Sequence, residues 1–143
     1  MSEIIVAYWS GTGNTEAMAN EVAEGAKAAG AEVDVLTASE FGADKMDAYD
    51  AVAFGCPAMG AEELEDSEFE PMFSDCEGKL GGKKIALFGS YGWGDGEWMR
   101  NWVEQMEGAG ATVVGGEDTI CQEAPDADAQ DELKAMGKQL AAI

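Results

Sequence analysis

Residues 9–15 read Trp-Ser-Gly-Thr-Gly-Asn-Thr and lie between an apolar run, Ile4 to Tyr8, and a segment with helical periodicity. A glycine-rich turn placed between a strand and a helix constrains the chain strongly. It brings main-chain N–H groups and the positive end of a helix dipole onto one small anion. Ser10, Thr12, Asn14 and Thr15 add hydroxyl and amide donors around Gly11 and Gly13, and the first Lys after the turn is Lys27. Such a turn suits a phosphate held by hydrogen bonds rather than by counter-charge.

Two other glycine loops are excluded by spacing. A nucleoside-triphosphate loop needs Gly-Lys-[Ser/Thr] at its end, and no Lys follows these glycines in that position. The dinucleotide fingerprint starts correctly at Gly11 and Gly13, but Asn14, Thr15 and Glu16 follow where its third Gly is required. A Ser/Thr/Asn-rich turn can also do no more than cap a helix. The crowding of donors here favours a bound phosphate over a simple cap.

A chain of 143 residues with 46% apolar content fits one domain with a substantial core. No run approaches the about 20 apolar residues of a membrane span, and the acidic start, Met-Ser-Glu, does not read as a signal peptide. Cys56, Cys76 and Cys121 form no C-x-x-C pair, and the chain has no His, so a structural zinc site is not expected. The thiols are expected to be reduced and the protein cytoplasmic. With 29 acids against 8 bases, a net charge of −21, nucleic acid and anionic membrane are repelled. An acidic surface instead suits transient docking on basic patches of partner proteins.

Strands and helices alternate. Strands are expected at Glu3 to Trp9, Glu32 to Thr37, Asp50 to Gly55, Lys84 to Gly89 and Thr112 to Gly115, the last resuming at Thr119 to Cys121. Helices are expected at Asn14 to Ala29, with Gly30 as the stop, at Phe69 to Glu77, at Glu97 to Glu107 and at Ala127 to Ala141. The connection from Ala38 to Tyr49 leaves room for a short helix near Asp44 to Asp47. This order predicts an α/β fold: a doubly wound, five-stranded parallel sheet with helices on both faces. In such sheets ligands bind beyond the carboxyl ends of the strands, where strand order reverses. The loops after strands one, three and four should therefore converge on one crevice.

Those loops carry the unusual residues. After strand three, Met59 follows Pro57 and stands beside Gly60 in a turn-like segment. After strand four, Tyr91 and Trp93 are interleaved with Gly92, Gly94 and Gly96, a composition that suits an aromatic platform for a flat ring. Trp98 and Trp102, one helical turn apart, read instead as packing residues. Glu62, Glu63 and Asp95 can accept hydrogen bonds from a ring's N–H edges. No Ser-His or Cys-His pair and no metal-ligand cluster is present, so the pattern suggests a bound group that carries its own chemistry.

The stretches at 8–16, 55–60 (Gly-Cys-Pro-Ala-Met-Gly), 67–71 (Ser-Glu-Phe-Glu-Pro) and 87–96 (Leu-Phe-Gly-Ser-Tyr-Gly-Trp-Gly-Asp-Gly) resemble flavodoxins, specifically the short-chain kind of anaerobic bacteria. The resemblance runs from the first strand to the last helix. It implies the flavodoxin strand order 2-1-3-4-5, non-covalent FMN, and low-potential one-electron transfer between redox enzymes through quinone, semiquinone and hydroquinone states. On this resemblance Ser10, Thr12, Asn14 and Thr15, with Gly11 and Gly13, hold the FMN phosphate. Met59 lies on the inner face of the isoalloxazine, Trp93 covers the outer face, and Glu62 bonds the ring N3–H. Ala58, Gly60, Ser90, Gly92 and Asp95 supply main-chain and ribityl contacts, with Tyr91 and Gly94 in the same loop. The Gly60–Ala61 peptide turns over on reduction to meet N5–H, and Gly60 suits the type II′ turn this requires. The partners implied are redox proteins, and a small acidic carrier is most simply a monomer.

Two rival readings differ in class. An FMN-dependent NAD(P)H oxidoreductase on this fold needs a second site with basic residues, and the eight Lys and Arg form no cluster in sequence. A phospho-receiver domain needs an Asp at the end of strand three, where Phe54-Gly55-Cys56-Pro57 stands.

Overall fold

The computed structural model describes residues 3–9, 14–38, 40–41, 45, 49–56, 69–76, 84–91, 97–114, 120–122 and 127–141. The elements in order are β1 (Glu3–Tyr8), α1 (Asn14–Ala28), β2 (Glu32–Thr37), β3 (Ala51–Gly55), α2 (Phe69–Cys76), β4 (Lys84–Tyr91), α3 (Glu97–Gly108), β5 (Thr112–Val114), β6 (Ile120–Gln122) and α4 (Ala127–Ala141). The strands lie in the order β2-β1-β3-β4-β5, and every pair is parallel. The expected doubly wound sheet is therefore present. The short helix expected near Asp44 to Asp47 falls outside the described residues except at Lys45.

The central strands are buried because they read as continuous apolar runs, as strands covered on both faces must. Ile4 to Ala7, Ala51 to Phe54 and Ile85 to Phe88 are fully buried. The edge strand β2 alternates exposed Glu32 and Asp34 with half-buried Val33 and Val35, and charge along an edge discourages pairing with another chain.

The two faces of the sheet are packed differently. On one, Ile5, Ala7, Val52, Phe54, Ile85 and Leu87 meet α2 and α3. Aromatic rings fill that layer: Phe54 stands edge-on to Phe73 at 5.4 Å, and Phe69 edge-on to Trp102 at 5.4 Å. Trp102 is thus a core residue, as its helical spacing predicts. The side chain of Trp98 lies outside the described residues. On the other face small residues, Ala51, Ala53 and Ala86, receive α1 and α4.

There the two helices approach closely enough to exclude a Cβ. One added at Gly25 would lie 2.1 Å from the Lys134 carbonyl oxygen, and one at Gly137 would lie 2.1 Å from that of Val22. Glu21 and Lys134 close the crossing with an ion pair at 3.3 Å. Both α1 and α3 end in the same way. Gly30 and Gly110 take φ of 94° and 90°, and Ala31 N–H and Ala111 N–H reach back to Ala26 and Met106 carbonyls at 3.1 and 3.2 Å. This pairing of bonds caps a helix with a left-handed residue that only Gly adopts cheaply.

Several boundaries differ from the expectation, most of them by one residue. The first helix stops one residue earlier, at Ala28. The fifth strand is two separate segments, β5 and β6. The fourth strand continues past Gly89, because Gly89, Ser90 and Tyr91 pair with Ile120, Cys121 and Gln122 of β6. Ser90 and the Tyr91 main chain are therefore strand, not loop.

The Tyr49 hydroxyl donates to Asp34 Oδ2 at 2.7 Å, which ties the start of β3 to the edge strand. That bond, followed by partial burial, pushes the Tyr49 phenol up to about 12. A group whose pKa is raised by folding stabilises below its unfolded value, about 10 for Tyr, and that contribution is lost as pH climbs through the folded value. Y49F should lower stability by about 1 kcal/mol at pH 7 and show a smaller loss than wild type between pH 10 and 12, measured by urea unfolding. G137A should cost about 1–3 kcal/mol in the same assay, since it forces main chain apart rather than a flexible side chain.

Candidate functional site

The sheet grows from β1 outward to β2 and then reverses to β3, so the crevice of the fold opens beyond Tyr8 and Gly55. These two residues are register partners, and Gly55 is paired in turn with Phe88. At this end of the sheet each strand is bonded to its neighbour by the residue just past the strand or at its end. Ala38 N–H donates to the Tyr8 carbonyl at 2.8 Å, Trp9 N–H to that of Gly55 at 3.0 Å, and Cys56 N–H to that of Phe88 at 3.1 Å. The exits toward the first and third loops are thereby fixed in direction.

Gly55 is required by packing. A Cβ there would lie 2.3 Å from the ring of Phe88, which is itself fully buried. The glycine lets an aromatic ring lie across the end of β3 and keeps the strand end flush beneath the crevice.

The helix α1 starts at Asn14, five residues after β1 leaves the sheet plane at Trp9. A helix returning beside a parallel strand directs its first N–H groups toward the carboxyl end of that strand. Thr15, the second residue of α1, is 1% exposed and is the buried polar side chain among the described residues. An uncharged set of hydroxyl and main-chain donors at a helix start matches a phosphate ester. On the chemistry of its donors the site therefore fits a phosphorylated cofactor.

Of the residues singled out from sequence, Asn14 and Thr15 open α1, and Ser90 and Tyr91 close β4. Ser10, Gly11, Thr12, Gly13, Ala58, Met59, Gly60, Ala61, Glu62, Gly92, Trp93, Gly94 and Asp95 lie outside the described residues. Their three segments depart from β1, β3 and β4, which are neighbours in the sheet. Cys56 and Cys76 are buried, and neither is in a disulfide. Among the described residues no group of His, Cys, Asp and Glu could hold a metal ion, and no helix is long and apolar enough to cross a membrane.

Residues beyond the motif also shape the site. The Tyr8 hydroxyl donates to Glu16 Oε2 at 3.1 Å across the turn. Burial, reinforced by that bond, raises the Tyr8 phenol above its usual value. A Tyr ending a strand eight residues before a Glu was the available signal. For Gly55 it was a glycine ending an otherwise apolar strand.

A doubly wound parallel sheet whose strand order reverses between β1 and β3 defines an α/β protein with its ligand crevice at that switch point. The flavodoxin family model matches residues 6–137. The chain is 52% identical over 141 residues to a flavodoxin of Megasphaera elsdenii, covering 99% of this chain and 98% of that one. It is 47% identical to a flavodoxin of Clostridium beijerinckii, covering 96% and 99%. The solution structure of two-electron reduced Megasphaera elsdenii flavodoxin superposes with a TM-score of 0.90 at 50% identity, over 98% of this chain and 99% of that one. The chain belongs to the flavodoxin family. It is an FMN-binding electron-transfer protein rather than an enzyme, and it passes electrons to redox partner proteins.

G55A should destabilise the fold by about 1–3 kcal/mol through overpacking against Phe88. Because it also displaces the exits at Trp9 and Cys56, it should weaken FMN binding, which a fluorescence titration of the apoprotein would measure.

Proposed function

We propose that this chain is a low-potential, cytoplasmic, monomeric carrier that moves one electron at a time between redox enzymes, and that residues 1–143 act as one FMN-binding unit. FMN, when bound, supplies the one-electron chemistry. The observation that supports the reading is the parallel pairing of β1 and β3 to their last residues, Tyr8 and Gly55, beside Phe88 of β4, which sets the ends of β1 and β3 side by side where strand order reverses. In this reading residues 10–15 bind the phosphate, Met59 and Trp93 enclose the ring, and Glu62 accepts from its N3–H. Ala58, Gly60, Ala61, Ser90, Tyr91, Gly92, Gly94 and Asp95 orient the ring and ribityl chain.

The charge gives the low potential a physical cause. No base stands between Lys45 and Lys79, whereas Glu62, Glu63, Glu65, Asp66, Glu68, Glu70, Asp75 and Glu77 all fall there. Carboxylates crowded in that stretch of the sequence, and a site without positive charge, both disfavour a ring that becomes anionic on full reduction. The same acids suit brief docking on basic patches of partners, with salt-sensitive association rates.

Stepwise anaerobic reduction of the purified protein, followed in the visible spectrum, tests this reading. Flavin bands should change in two resolved one-electron steps, the second with a midpoint below that of free FMN. Bleaching in one two-electron step together with steady NAD(P)H oxidation would replace a carrier by an oxidoreductase. A second midpoint equal to free FMN's would remove the electrostatic account.

A further inference from the structure

The sheet has an overhang at its ligand end. β4 stays beside β3 up to Phe88, whose carbonyl accepts the Cys56 N–H at 3.1 Å, and then runs on through Gly89, Ser90 and Tyr91. At the rise of a parallel strand those residues reach about 10 Å past the end of β3. β5 does not accompany them, because its last partner on β4 is Ala86. Among the described residues the strand beside the overhang is β6, with Ile120, Cys121 and Gln122 opposite Gly89, Ser90 and Tyr91. β6 is placed independently of β5. From Val114 to Ile120 the chain takes six steps where β4 takes three, from Ala86 to Gly89. Pairing is therefore made afresh at the height where β3 has ended. Successive residues of a strand turn their main-chain groups to alternate sides. Since the Phe88 carbonyl faces β3, the main-chain groups of Gly89 and Tyr91 face β6, with Cys121 between them in register. The Cys121 N–H is thus directed at the Gly89 carbonyl, and its carbonyl at the Tyr91 N–H.

We propose that β6 is a positioning strand for the flavin ring: the Cys121 main chain fixes the direction of Ser90 and Tyr91, and with it the wall of the crevice that β4 supplies. The inference rests on the reading that the end of β4 orients the ring. A parallel ribbon of three residues on each side is weak by itself. An overhang held by β6 beyond the reach of β3 and β5 therefore changes direction readily when that pairing is lost. The position within β6 matters, because Ile120 and Gln122 turn their N–H groups away from β4.

The test compares C121P with Q122P in the full chain, by titrating each apoprotein with FMN and with riboflavin, which lacks the phosphate. Proline suits an extended residue at either position, but only at 121 does it delete an N–H directed at β4. C121P should bind FMN about tenfold more weakly, the effect of one main-chain bond left unmade. Riboflavin should lose as much, since the ring and not the phosphate is displaced. The visible bands of FMN bound to C121P should also shift, which a loss of stability alone does not produce. Q122P should match wild type in both respects. Equal behaviour of the two proline variants, whether both bind or both fail, overturns the proposal. Should C121P not fold, hydrogen exchange in the wild-type protein decides. The Tyr91 N–H faces β6 rather than the crevice, so FMN should slow its exchange by firming that pairing. A rate indifferent to FMN overturns the proposal. The underlying reading has its own control in W93A. Riboflavin binding as tight in W93A as in wild type would remove that reading, and the proposal with it, whereas weak binding in W93A beside unchanged binding in C121P sinks the proposal alone.

Discussion

Everything at the ligand end of this molecule depends on parallel pairing between β1 and β3. Parallel neighbours leave the sheet in the same direction, so their following loops must share space. Here the pairing is carried to the last residue of each strand, Tyr8 opposite Gly55, and then one step further by the Trp9 N–H bond to Gly55. A main-chain bond placed after the end of a strand costs little conformational freedom, because its neighbours are already ordered. It nonetheless decides where the following loop begins. The crevice is thus built from backbone first, and side chains are hung on an already oriented frame.

The two faces of the sheet solve different problems. The α2 and α3 face is filled with rings at edge-on angles, which pack large volumes against helices that follow the second and third loops directly. The α1 and α4 face mixes Ile4, Val6 and Phe88 with the alanines of β3 and β4, and glycines at Gly25 and Gly137 let the two helices approach each other closely. Bulk anchors the elements that follow long loops. Close approach fixes α1, the helix that follows the first strand. Neither arrangement would serve in the other's place, since a helix held off by large side chains could not present its N–H groups at the strand ends.

Much of this was legible in the residues themselves. Continuous apolar runs marked the three buried strands, and Met18, Val22 and Ala26, like Leu133, Met136 and Leu140, marked the inner faces of their helices. The bounds of α4 coincide with the expectation because its periodicity runs unbroken from end to end. What escaped was non-local. Gly25 and Gly137 carry no signal in the sequence, because their necessity arises from a contact between helices far apart along the chain. The extension of β4 to Tyr91 depends on β6, a three-residue strand too short to show a period. The bond between Tyr8 and Glu16 crosses a turn whose own residues drew attention to themselves.

The interlocked glycines of α1 and α4 also set an order of events. Of these two helices, α1 is made before the strands β2 to β6 and α4 after them. During synthesis from the N-terminus, the apolar stripe of Met18, Val22 and Ala26 can meet the strands first and gains Leu133, Met136 and Leu140 only when α4 has emerged. The first strand–turn–helix unit can form early as local structure, yet its packed setting is complete only with the final fifteen-residue helix. A polypeptide without α4 leaves α1 bare on the side where Gly25 otherwise meets Lys134 and Val22 meets Gly137.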